Sequence, residues 1–389
     1  MSIMNNTNIK EKNVIIFYHK NHQNQFNGTS VYLKFLIEIL SLNYKVSIIE
    51  PYSVDSSSDL LNGVNPHYFI KLLKDVYFRQ IKWLWEIKSK NKNIPPENTI
   101  LLVEDIYSAP IPLLLSKIKN YKLVYRAADF GKKYSKSLFG RNHFDTLIYS
   151  ILRKVLESFL VSISSLIICP SFSIKQEILS RYSDLSNKII ELPYFIKVPD
   201  HFKIPDGNLN PAEPKEKIVN LLFLGDCSYP PNLSAARYIV EEMIPSLNDI
   251  KEMFTVTIAG PKTDRLFHSS DPIVRVMGEV SNKEEIMNNS DIGLAPIQTF
   301  GGLSMKIVDY LIHGLNVIAT PEASFGIIPN EQIIISSFSN FTNVVRNEII
   351  RLVKGNLRSH NVSKEVMDTY MTDKWSSNLL DRFSKIGKN

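Results

Sequence analysis

The chain has 389 residues, 44% of them hydrophobic and 22% charged, with a formal net charge of +6. That length exceeds one ordinary core and sets an expectation of two domains, and the composition excludes a disordered or collagen-like chain. The moderate basic balance suits an anionic ligand or a membrane surface and is too mild to argue for nucleic acid.

The first residues, MSIMNNTNIKEK, are polar and lack the apolar core of a signal peptide. The longest nearly apolar run, Phe159 to Cys169, is too short and too Ser-rich to span a bilayer. The expected compartment is the cytoplasm. NVIIFY, from Asn13, reads as a buried strand, and a loop with Gly28 leads to the helix SVYLKFLIEILSLN and the strand KVSIIEP. Strand, Gly loop, helix, strand is the opening of a doubly wound α/β domain, although GxGxxG is missing. Gly28 either lets this loop approach a ligand or serves a plain helix-entry turn. From 68 to 92 the chain is basic and aromatic, with Phe69, Leu72, Leu73, Val76, Gln80 and Leu84 near one helical stripe. Such a helix either lies in an anionic membrane interface or covers a core with a solvated basic face.

NTILLVEDI and YKLVYRAADFG are the next strands, ending in Glu104 and Asp105, and in Arg126, Asp129 and Gly131. Ligands of open α/β sheets sit at the carboxyl ends of strands. Asp129 is therefore a candidate general base, against the plainer reading of a loop or cap aspartate. A basic cluster (Lys132, Lys133, Lys136, Arg141) precedes a long helix from Phe144 to Ser164. SSLIICPS, SIKQEILSRY and KIIELPYF read as strand, helix and strand. The Pro-rich, charged stretch that follows is a linker. The expected division is a first domain over 1–195, a linker over 196–217, a second domain over 218–360 and a terminal helix over 361–389.

The second domain restarts the alternation. Ile218 to Leu224 is a buried strand meeting Gly225, and a turn with Pro231 leads into a helix. FTVTIAG is a strand ending at Gly260. Cys169 and Cys227 each follow an apolar strand and read as buried thiols rather than a disulfide or metal site. From Val274 to Thr320 the order is strand, turn, helix, strand, Gly-rich loop, helix, strand. The loop TFGGLS and the helix MKIVDYLIHG, closed by Gly314, form a candidate phosphate or diphosphate site: the glycines allow close approach, the helix start offers N–H groups and a positive dipole end, and Lys306 adds a charge. Asp309, one turn on, could accept ribose hydroxyls. The plainer reading is a Gly-rich turn with a solvated Lys306–Asp309 pair. No DxD clamp is present, so protein dipoles and cations would neutralise a diphosphate. QIIISS and FSNFTNVVRNEIIRLVKG add a strand and a helix, and an amphipathic tail with Trp375 ends the chain.

Four segments together resemble the donor domain of GT-B glycosyltransferases of the large family-4-like group: LGDCSYPPNLSAARYIVEEMIPSL, VTIAG, VRVMGEVSNKEEIMNNSDIGLAPI and GGLSMKIVDYLIHGLNVIATPEASFG. The resemblance implies an α/β fold of two Rossmann-like doubly wound domains facing a cleft, with a C-terminal helix crossing back to the first. It implies a nucleotide-sugar donor, UDP-linked by leading expectation, and no cofactor. Gly225 would leave room for the diphosphate, Met277, Gly278, Glu279 and Val280 would cradle the base, Gly302, Ser304, Met305 and Lys306 would hold the phosphates, and Asp309 would replace a ribose-binding Glu. The retaining members' E-x7-E motif would need an acid where Gly301 stands. The SMK helix start and VYRAADFG are closer to the inverting glucuronosyltransferase of xanthan-type exopolysaccharide assembly, which implies Asp129 as base. Gly28 and Arg126 are candidate acceptor-side or plain loop residues. A glycan or lipid-linked saccharide is the expected acceptor, with peripheral inner-membrane contact through 68–92. A retaining transferase, a 2-epimerase of the same fold and a non-catalytic transferase subunit are the alternatives.

Overall fold

A computed structural model describes residues 12–18, 28–49, 81, 84–85, 95–104, 106, 108–128, 130, 143–196, 218–269, 271–299, 303–355 and 362–386. The chain divides into two compact units, Met1–Leu192 with Asp373–Asn389, and Pro193–Thr372. Asp129, Gly301, Gly302, the basic cluster of 132–141 and nearly all of 68–92 lie outside the described residues.

The first unit is built on a parallel sheet of β1 (Asn13–Phe17), β2 (Lys45–Ile49), β3 (Thr99–Val103), β4 (Lys122–Arg126), β5 (Leu166–Cys169) and β6 (Ile189–Glu191), ordered β2-β1-β3-β4-β5-β6. Its central strands are almost continuous runs of Val, Ile and Leu because helices cover both faces. Register follows from the first pairings, Val14 opposite Val46 and Ile100. The helices α1 (Gly28–Ser41), α2 (Pro110–Lys119), α3 (His143–Ile163) and α4 (Phe172–Leu179) connect the strands. α2 is absent from the sequence reading: APIPLLLSKIK carries two prolines, yet Pro110 occupies the first turn, where a missing N–H costs nothing.

The second unit holds β7 (Val219–Leu224), β8 (Phe254–Ala259), β9 (Val274–Gly278), β10 (Ile292–Ala295), β11 (Asn316–Ala319) and β12 (Ile333–Ile335), all parallel and ordered β12-β11-β10-β7-β8-β9. After β9 the chain returns across the sheet to β10, so the topological switch lies between β7 and β10. The longer helices are α5 (Pro230–Tyr238), α6 (Lys283–Asn288), α7 (Met305–Ile312), α8 (Phe341–Val353) and α9 (Lys364–Tyr370). The tail read as one amphipathic stretch is two helices, α9 and α10 (Lys374–Lys385), parted at 371–373. α10 belongs to the first unit, where Leu379 and Phe383 are fully buried. Phe383 meets Tyr44 edge-on at 5.8 Å, and Arg382 donates to the Asn187 carbonyl. Both cysteines are buried free thiols, as their strand-end positions suggest. Among the described residues no helix is long and apolar enough to cross a membrane.

Candidate functional site

The second sheet's carboxyl edge is shaped by backbone that only glycine fits. Gly260, after β8, has φ +131°, and a Cβ there would stand 2.2 Å from the Gly225 carbonyl oxygen. Its N–H donates to Gly278 O at 2.7 Å. Gly278, at the end of β9, has φ +67°. The Thr263 hydroxyl donates to Gly260 O at 2.9 Å and accepts from Gly278 N at 3.0 Å, locking the two strand ends together. The Gly225 N–H donates to Ala259 O at 3.0 Å. Strand ends β7, β8 and β9 are thus drawn into one rim.

α7 is fixed against this rim from below. Tyr310 is fully buried, and its ring lies so close to β10 that a Cβ on Gly293 would come within 2.3 Å of it. Its hydroxyl accepts a hydrogen bond from the Leu224 N–H at 2.7 Å. Leu224 is the last residue of β7, so this bond pins α7 to the residue before Gly225. At the other end of the helix, the buried Gln332 amide donates to Leu311 O at 3.1 Å and Leu315 O at 3.4 Å and accepts from Ser363 N at 2.7 Å. The helix C-terminal carbonyls are therefore partnered. Gly314, at φ +76°, closes the helix as its position after the apolar run predicts.

Lys306 projects from the first turn of α7 to the Gly225 loop. Its Nζ donates to Asn232 Oδ1 at 2.8 Å and sits 4.3 Å from the Phe223 ring centroid. A Cβ on Gly225 would lie 3.1 Å from the same Nζ. Asn232 is itself held by donating to Asp226 O at 3.0 Å. The ammonium thus has a neutral amide and an aromatic face for partners, and burial lowers its pKa to about 7. An anion reaching this half-buried side chain would raise it again. Ser304, buried in the cap position, makes no side-chain cap bond, so the α7 N-terminus keeps its donor character.

Asp309 does not pair with Lys306. Its Oδ2 accepts from Lys283 Nζ of α6 at 3.3 Å, and its carbonyl meets His313 Nδ1 at 2.7 Å. Burial raises the Asp309 pKa, opposed by Lys283 and His313. Met277 is half-buried, Glu279 exposed and Val280 buried, all at the same edge. The structure therefore brings Gly225, Gly278, Ser304, Lys306 and Asp309 to one side of one sheet.

Gly28 and Arg126 belong to the first unit. Gly28 opens α1. Arg126, 3% exposed, donates from Nε to Glu104 Oε1 at 2.5 Å and lies over the Tyr32 ring at 4.2 Å. Tyr32 donates to Leu192 O at 2.6 Å. This arrangement ties β3, β4, α1 and the residue after β6 together. Sequence reasoning missed Asn232, Tyr310, Gly293 and Lys283. Asn232 is 74 positions from Lys306, and no local pattern announces such a partner.

Residues 219–350 match the family model described as glycosyl transferases group 1. No curated protein sequence matches the chain. Among solved structures, the chain is similar to a sucrose-phosphate synthase from Thermosynechococcus elongatus, with TM-score 0.68, 12% identity, 96% of this chain covered and 99% of that one. A glycosyltransferase from Rickettsia africae has TM-score 0.59 and 15% identity, over 97% and 99% of the two chains. Anabaena HepE, solved in complex with UDP, has TM-score 0.58 and 10% identity, over 96% and 100%. At these identities the likeness carries the fold, two parallel six-stranded sheets of the GT-B class.

Proposed function

We propose that this chain, a glycosyltransferase by its group 1 domain, moves a sugar from a nucleotide diphosphate donor, UDP-linked by preference, to a glycan or lipid-linked saccharide. The observation that carries the donor site is Lys306: a cation at the topological switch point, at the start of a helix, beside a glycine strand end, with Asn232 rather than an acid as its partner. That is what a diphosphate requires. The UDP complex of Anabaena HepE supports the choice of nucleotide.

In this reading Lys306, the α7 N-terminus and loop N–H groups hold the diphosphate and stabilise its growing charge as the glycosidic bond breaks, without a metal. Such preorganised electrostatic stabilisation is worth about 3–4 kcal/mol per donor. Asp309 takes the ribose hydroxyls, and the Met277–Val280 edge takes the base. Asp129 removes the proton of the acceptor hydroxyl, whose oxygen attacks the anomeric carbon from the face opposite the nucleotide, so the product is inverted. The glucuronosyl-transfer resemblance belongs to the same reading, as does peripheral contact of 68–92 with the inner face of a membrane. The test is product analysis with radiolabelled UDP-sugars and a lipid-linked saccharide extract. Asp129→Asn is expected to lower transfer by roughly 10²–10⁴-fold while leaving UDP binding intact. Near-full transfer by that variant removes Asp129 from the role of base, and product with retained configuration overturns the inverting chemistry.

A further inference from the structure

The first unit carries an outer surface whose residues run against the usual helix pattern. In α3 the buried side chains include Arg153 and Glu157, an ion pair at 2.8 Å, alongside Leu160 and Val161. The residues turned outward are Ile151, Val155 and Phe159, spaced four apart on one stripe. α2 presents Leu114 and Ile118 in the same way. These five side chains are between 48% and 69% exposed. The crossovers β3–α2–β4 and β4–α3–β5 run in the same direction across the sheet. Right-handed connections place both helices on one face, and both pack on β4, so they are neighbours. The five apolar residues therefore belong to one layer rather than being scattered.

The charge on this layer has one sign. Among the residues of α2 and α3 whose exposure is described, every exposed charged side chain is a lysine: Lys117, Lys119 and Lys154. Lysines set between exposed aliphatic and aromatic residues suit an interface with apolar chains below and anionic groups at the level of the ammonium. The flanking sequence has the same bias: 68–92 and 131–142 together hold eleven lysines and arginines against two acids.

We infer that the outer face of α2 and α3 is a docking surface for an anionic phospholipid bilayer. The apolar stripe enters the headgroup boundary and the three lysines meet lipid phosphates. This gives the membrane contact a described surface beyond 68–92, and it stands on exposure and charge rather than on the donor site.

The test is flotation of the full chain with vesicles of phosphatidylcholine alone and of phosphatidylcholine with added phosphatidylglycerol. Binding is expected on the anionic vesicles only and is expected to weaken with salt. An Ile151→Ser, Val155→Ser, Phe159→Ser variant and a Lys117→Glu, Lys119→Glu, Lys154→Glu variant are each expected to reduce vesicle partitioning at least about tenfold. Thermal melting and UDP binding of both variants establish that they are folded, and they keep this result separate from the donor reading. Equal binding to both vesicle types, no binding, or unchanged binding by folded variants overturns the proposal. A dimer in sedimentation velocity that the serine variant dissolves assigns the face to a second copy instead, and likewise overturns it.

Discussion

Lys306 concentrates the site's chemistry in one titratable group. Replacing it by Met removes a charge-assisted contact worth about 1.5–3 kcal/mol, so calorimetry is expected to show UDP affinity falling roughly tenfold to a hundredfold. The pH dependence has a definite sign. Burial lowers the Lys306 pKa to about 7 in the free protein, and a bound diphosphate raises it. Binding therefore takes up a proton above pH 7, and affinity falls as pH rises from 7 towards 9, by up to about tenfold per pH unit. The phosphates of UDP are almost fully ionised across most of that window, so the Lys306→Met variant is expected to show a much flatter profile. An equally steep profile in that variant would place the titration elsewhere. The candidate cation was legible in the sequence because a Gly-Gly loop and a helix start flank it. Its actual partners were not. A lysine one turn before an aspartate suggests a local pair, whereas the fold sends Lys306 to Asn232 and Asp309 to Lys283, 74 and 26 positions away.

α7 is the element on which the site's geometry depends. Its position is set by Tyr310 standing against Gly293 and bonding Leu224 N. Gly293→Ala forces a Cβ into that ring and is expected to lower stability by about 1–3 kcal/mol, read from the urea midpoint. Tyr310→Phe leaves the Leu224 N–H without its acceptor and is expected to cost about 1–3 kcal/mol by the same measurement. Both changes are expected to move the α7 start and so to weaken UDP binding, although neither residue is among the proposed donor contacts. The strands were legible because parallel strands buried on both faces are nearly continuous Val, Ile and Leu runs. α7 was legible from its helical period and from Gly314. α2 was not, since its prolines argue for a loop until their place in the first turn is known. The break between α9 and α10 was hidden because both halves share an amphipathic pattern.

At the scale of the molecule, two parallel six-stranded sheets each end in a carboxyl edge, and the second edge carries the glycine rim, Lys306 and Asp309. The chain's last helix is part of the first unit's core: Phe383 is fully buried against Tyr44. Phe383→Ala is expected to lower stability by about 3–5 kcal/mol, seen as an early unfolding transition of the first unit in a denaturant titration, with UDP binding by the second unit retained. Two α/β units were readable from the repeated strand–helix alternation on either side of a Pro-rich stretch, because composition changes abruptly there. The proposed donor site is the second sheet's edge, with Lys306 as its cation. Thermal stabilisation by UDP, GDP, ADP and CMP, on the wild type and on Lys306→Met, tests it most directly. At a hundred times its dissociation constant a ligand adds about 2.7 kcal/mol, a shift well above measurement error. Stabilisation of the wild type by one nucleoside diphosphate, UDP first, and its loss in the variant are expected. A folded wild type stabilised by none of the four, or a variant stabilised as much as the wild type, would contradict it.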